Sequence, residues 1–119
     1  MSEKSLAFDS VLDLCQNQHR RIVLAILAAE QRSLSLDDLI QTVLKYNHHT
    51  AITEASEDVL EEIRLSFHHV HLPKLASNGL IAYDPDRQLV EPTEKFEQVQ
   101  PTVSTILDAD PVLEAPIEL

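Results

Sequence analysis

The chain has 119 residues, enough for one domain with a modest core, and its nine Lys and Arg against twenty Asp and Glu leave a formal charge of −11. Such a balance repels phosphate backbones at low salt; it equally suits a protein kept hydrated in a salty cytoplasm, where at molar ionic strength charges act over only about 3 Å. A single glycine excludes dinucleotide and P-loop motifs; with no apolar run of about 18 residues and no signal-peptide core in MSEKSLAFDSVLDL, the expected location is cytoplasmic, with no membrane partner.

In chain order, Phe8 to Glu30 reads as a short helix followed by a longer one, with Val11, Leu14 and Cys15 on the first apolar turn. Asn17 can cap afresh, and Ile22, Val23, Ile26 and Leu27 continue at helical spacing. Cys15, the lone cysteine, reads as a small core residue. Ser33 to Leu36 has room for a tiny strand, and Ser35 with Asp38 forms a capping-box pattern ahead of a helix from Leu36 to about Tyr46. Asn47 to Ala55 has no period and reads as a connector.

Ser56, followed by two acids that suit a helix N-terminus, opens the longest predicted helix, about residues 56–78, which Asn78-Gly79 ends with a left-handed residue. On a straight helix Leu60, Ile63, Phe67, His71 and Leu75 form the buried side, leaving Glu62, Ser66, His69 and Pro73 in an outward line. Leu80 to Tyr83 and Leu89 to Glu91 flank the turn sequence DPDRQ and predict a two-stranded hairpin within about 80–92. Thr93 can cap a last helix, about 93–109, that Pro101 interrupts or restarts. Residues 1–7 and 111–119 read as flexible or partner-docked termini. The expected fold is mainly α with a small β-hairpin, a winged helix-turn-helix over residues 8–110.

Two stretches then carry a resemblance. HLPKLASNGLI, His71 to Ile81, resembles the HLxxLxxxGLI signature of winged-helix regulators of the arsenic-repressor type, and NQHRRIVL, Asn17 to Leu24, resembles the N-x-x-R-R-x-x-L opening of their first long helix. The fuller pattern, HVHLPKL with YDPDR, is similar to small haloarchaeal winged-helix domains and covers roughly Leu12 to Thr93. The resemblance implies a transcription regulator that binds double-stranded DNA as a homodimer, with the last helix in the dimer interface, in a salt-loving archaeon.

Residue by residue, Ser66 and His69 are the candidates for base edges, with Pro73 on the same line. Arg64 and Lys74 at the flanks suit phosphates, and Arg87 at the hairpin tip suits a minor groove or the backbone. His19, Arg20 and Arg21 are further phosphate candidates, with a surface salt bridge as the alternative for Arg21. Phe8, Val11, Val103, Ile106 and Leu107 are the expected dimer interface. Glu61 and Glu62 oppose a phosphate-facing helix and favour the rival reading, a winged-helix adaptor that binds protein.

Six histidines also admit a metal-responsive repressor. Only His68 and His71 in the cluster at 68–71 have ligand spacing, however, so no metal or other cofactor is expected. Ser66, His68 and Asp84 lack the spacing of a nucleophilic set, and no enzyme is expected.

Overall fold

The computed structural model describes residues 8–48 and 54–113, apart from the side chains of Asn47, His48 and Val112. Part of the predicted connector, including His49, and the segments 1–7 and 114–119 lie outside the described residues.

Helix α1 (Phe8–Leu14) turns at once into α2 (Gln18–Glu30). The restart comes from Asn17, whose side-chain oxygen accepts the amides of His19 and Arg20 at 2.8 and 3.3 Å and so satisfies two donors that a helix start leaves open. Helix α2 ends at Gln31, a non-glycine residue at φ 53°. Strand β1 (Leu34–Ser35) leads into α3 (Leu36–Val43) through the predicted capping box: the Ser35 hydroxyl accepts the Asp38 amide at 3.0 Å and the Asp38 carboxylate accepts the Ser35 amide at 3.3 Å. A wide π turn, Leu44–His48, follows.

Beyond the connector one helical run is built from three parts: α4 (Glu57–Ser66), a π turn (Phe67–His71) and α5 (Leu72–Ser77). The π turn accounts for Pro73. In an unbroken α-helix its ring would meet the carbonyl four residues back and remove a hydrogen bond. Here the Leu72 amide reaches back five residues to the Phe67 carbonyl, and Pro73 stands in the first turn of α5, where its missing N–H is tolerated.

The run closes at Gly79, φ 82°, where the Gly79 amide bonds the Ala76 carbonyl at 2.9 Å and the Leu80 amide the Leu75 carbonyl at 3.1 Å. Strands β2 (Ile81–Asp84) and β3 (Leu89–Pro92) then pair antiparallel. The tiny strand expected within Ser33 to Leu36 forms as β1 and joins the hairpin in one three-stranded sheet, in the order β1-β3-β2, because Leu34 and Ser35 pair with Val90 and Leu89. Thr93 joins the two ends of the hairpin: its hydroxyl donates to the Gly79 carbonyl at 2.6 Å, and the same oxygen accepts the Phe96 amide at 3.3 Å to cap α6 (Glu94–Asp108).

Helix α6 runs unbroken through Pro101, in contrast to the expected interruption. Residues Pro111–Leu113 form a 3-10 turn, and Leu113 packs on the core rather than fraying. A single core joins α1, α2, α3, the long helical run, the hairpin and α6. No described helix is long and apolar enough to cross a membrane.

Gly79 tests the helix-to-hairpin turn. A Cβ there would be held at positive φ and would meet the Lys95 side chain, which can move away, at 3.0 Å. Gly79→Ala should lower the unfolding free energy by about 1–2 kcal/mol, measured by urea denaturation.

Candidate functional site

The turn between α1 and α2 is held by two adjacent arginines. Arg20 is 6% exposed; its Nε donates to the Leu14 carbonyl at 2.7 Å and its Nη2 to the Asp13 carbonyl at 3.2 Å, both at the C-terminal end of α1 where carbonyls lack helical partners. Its third contact crosses the fold, from Nη1 to His71 Nδ1 at 3.2 Å. Arg21 donates through Nη1 to the Cys15 carbonyl at 2.6 Å and through Nε to Asp110 Oδ2 at 2.8 Å. Arg20, expected at phosphates, is therefore buried in a clamp, whereas the partly exposed Arg21 forms the salt bridge that was its alternative, with Asp110 as its anchor beyond α6. Arg20 lies one and two turns before Val23, Leu24 and Leu27 on the buried stripe, and that placement was the available sequence signal.

His71 is 4% exposed and edge-on to both His19 and Phe67. Arginine can only donate, so Nδ1 of His71 must accept, and the ring proton sits on Nε2, which donates to the Ser66 hydroxyl at 3.0 Å. Ser66 is half-buried, and its hydroxyl accepts from His71. This bond fixes what the pair can do chemically. A histidine whose Nε2 is protonated and whose Nδ1 faces a guanidinium cannot take a proton from the serine, so Ser66 is not an activated nucleophile. Burial, with the charges of Arg20, His19 and Lys74 adding to it, holds the His71 pKa down to about 4 from 6.5.

The outward face of the long helical run divides in two. Glu57, Asp58, Glu61 and Glu62 are exposed on α4, together with Val59 and Leu65. Residues 63–83 contain no Asp or Glu, and His68, His69, Val70 and Pro73 are exposed there. His68 and His69 sit ring to ring at 4.9 Å, and His68 Nδ1 lies 3.0 Å from the Tyr83 hydroxyl on β2, so helix and hairpin present one continuous surface. Tyr83 was not singled out from the sequence.

The cations near this surface are mostly engaged. Arg64 pairs with Asp37 at 3.3 Å and Lys74 with Asp13 at 3.0 Å, both at the exposed surface where such pairs contribute about 0–1 kcal/mol and exchange easily. Arg87, at the hairpin tip, is exposed, and its side chain makes no hydrogen bond or ion pair among the described residues.

The predicted interface set also divides. Val11, Val103 and Leu107 are buried within the chain's own core, since the α1 and α6 faces carrying them pack on each other, and so they are not available to a second copy. Phe8 is 58% and Leu12 38% exposed, one turn apart on α1, and Ile106 is half-buried.

Among the described residues no three His, Cys, Asp or Glu side chains gather as a metal site. Among the described residues, surface clefts measure about 260, 220 and 290 Å³, below the roughly 300–1,000 Å³ of small-molecule pockets. The notable chemistry is therefore on a surface, in the acid-free strip, and in the buried arginine and histidine behind it.

A domain of unknown function, DUF7344, matches residues 12–91, the α1–β3 region that carries the clamp, the helical run and the hairpin. The chain belongs to the DUF7344 family. No curated protein and no solved structure matches it. The family match stops before α6 and so excludes Asp110, the anchor of Arg21.

The pH dependence of stability follows from His71. Its folded pKa lies below its unfolded one, so between about pH 6.5 and pH 4 the unfolded chain binds a proton that the folded chain refuses. The stability is complete above the upper limit and is lost as pH falls through the window. Thermal melts should show this decline, by up to about 3 kcal/mol, and His71→Gln should flatten it.

Proposed function

We propose that the chain is a winged helix-turn-helix DNA-binding domain acting as a transcription regulator, with the second half of the long helical run and the hairpin against the duplex. The observation that carries this reading is the strip 63–83, which has no carboxylate in a chain with twenty, and which runs from the helix into the hairpin. The element order, with β1 on the outer edge of the β2–β3 hairpin, and the signature resemblance in Asn17–Leu24 and His71–Ile81 support the same fold assignment.

In this reading His69 and Pro73 approach the bases, and Arg87 reaches a phosphate or the minor groove. Arg64 and Lys74 exchange their carboxylate partners for phosphates, while Ser66 positions the helix from behind. A homodimer forms through the exposed Phe8 and Leu12 side of α1, with Ile106 at its edge. The acidic surface and the haloarchaeal resemblance fit a salt-rich cytoplasm, where recognition rests on hydrogen bonds, shape and apolar contact rather than counterion release.

A second reading has its own observation. The exposed acids of α4, interspersed with exposed Val59 and Leu65, suit a basic protein partner, so an adaptor role is the alternative. Genome-wide occupancy separates the two: a regulator yields enriched promoter sites that His69→Ala/Arg87→Ala abolishes, whereas an absence of enriched sites defeats DNA binding.

Few phosphates are neutralised in this arrangement. Titration of promoter-DNA binding from low to molar KCl should give a slope of log affinity against log salt no steeper than about −3, and Phe8→Glu should shift the sedimentation of the dimer to that of a monomer.

A further inference from the structure

The proposed interface carries little permanent positive charge. In the free chain Arg64 is paired with Asp37 and Lys74 with Asp13, so each must give up a carboxylate before it can serve the duplex. Arg87 alone among these three cations has no carboxylate partner among the described residues. Yet two exposed imidazoles stand side by side at the middle of the acid-free strip, and imidazole is the side chain that gains a positive charge near neutral pH.

Resting on the DNA-binding reading, we infer that His68 and His69 form a proton-gated phosphate contact: the pair takes up protons as the duplex docks, and DNA affinity rises as pH falls below neutrality. The groups around the pair permit this. On its own helical run, His71 points into the core against Arg20, Lys74 is engaged with Asp13, and Arg64, one turn before His68, is engaged with Asp37. Glu61 and Glu62 lie about two turns before the pair, too far to supply a fixed counter-charge in direct contact. From the hairpin, the Tyr83 hydroxyl is the neutral group that meets His68. The next residue, Asp84, directs its carboxylate to the backbone amides of Asp86 and Arg87, at 3.1 and 3.3 Å.

A phosphate beside His68 and His69 therefore meets two protonatable rings with no carboxylate among the described residues hydrogen-bonded to either. Its negative charge stabilises the imidazolium forms, and by linkage their protonation stabilises the complex. Tyr83 sets the orientation, since a bond between its hydroxyl and Nδ1 of the exposed His68 leaves Nε2 of that ring as the nitrogen not engaged by the hairpin.

Fluorescence anisotropy of a labelled 30-base-pair mixed-sequence duplex, at fixed low salt from pH 8.0 to 6.0, tests this on the full chain. Affinity is expected to rise by about tenfold across the range, with about half a proton taken up on average for each complex when calorimetry is repeated in buffers of different ionisation enthalpy. His68→Gln/His69→Gln should bind with affinity constant to within about twofold, and His68→Lys/His69→Lys should bind tightly at both ends of the range. Melting curves of each variant confirm that it is folded. A flat wild-type profile, or the same pH dependence in the Gln variant, would overturn the proton gate while leaving DNA binding intact. Absence of duplex binding at every pH, in the wild type and the Lys variant alike, would overturn the DNA-binding reading itself and the gate with it.

Discussion

A guanidinium removed from water must have its N–H groups placed, because an unpaired buried charge destabilises a fold by several kcal/mol. Arg20 meets this demand with two carbonyls at the end of α1 and one nitrogen of His71, fifty-one residues further along the chain. The contact does two things at once. It closes the α1–α2 turn against the dipole of α1, and it fixes the rotation of the long helical run by seizing a residue in its π turn. His71 must then stay neutral, with its proton on Nε2, and that proton holds Ser66. One buried cation thereby sets the tautomer of a histidine, the position of a serine and the face that the run turns outward.

The π turn and Pro73 belong to the same arrangement. A straight helix would carry one outward line from Glu62 to Pro73. The wider turn inserts an extra residue between Ser66 and Pro73, so Phe67, His71 and Leu72 are all buried while His68, His69 and Val70 are all exposed. The acidic stretch of α4 and the stretch of the π turn and α5, which carries no Asp or Glu of its own, become two distinct faces of one run. The hairpin extends only the second, through the contact between His68 and Tyr83.

Local signals were legible wherever a residue acts on its own neighbours. Asn17, Ser35 with Asp38, Ser56 and Thr93 cap the helices that they were expected to cap, and Gly79 takes the positive φ that ends the run. Pro101 sits inside α6 and Val11, Val103 and Leu107 turn inward, because the packing of α1 and α6 on one another outweighs what either segment suggests alone. The tiny strand expected within Ser33 to Leu36 forms, but its place beside the hairpin was not legible, for a similar reason. Two residues, Leu34 and Ser35, carry almost no intrinsic β signal and pair only because β3 is beside them.

By itself the sequence determined the order of the elements, the helix ends and the run from Ile63 to Tyr83 without a carboxylate, since each depends on residue type and short-range spacing. Which side chains serve that surface was decided by tertiary structure. Arg20 and Ser66 resemble free polar groups until a histidine folds in between them, and Arg64 and Lys74 resemble free cations until Asp37 and Asp13 arrive from other elements. Hydrogen bonds and ion pairs act over a few ångströms, and no spacing along the chain specifies which distant groups the fold will bring that close.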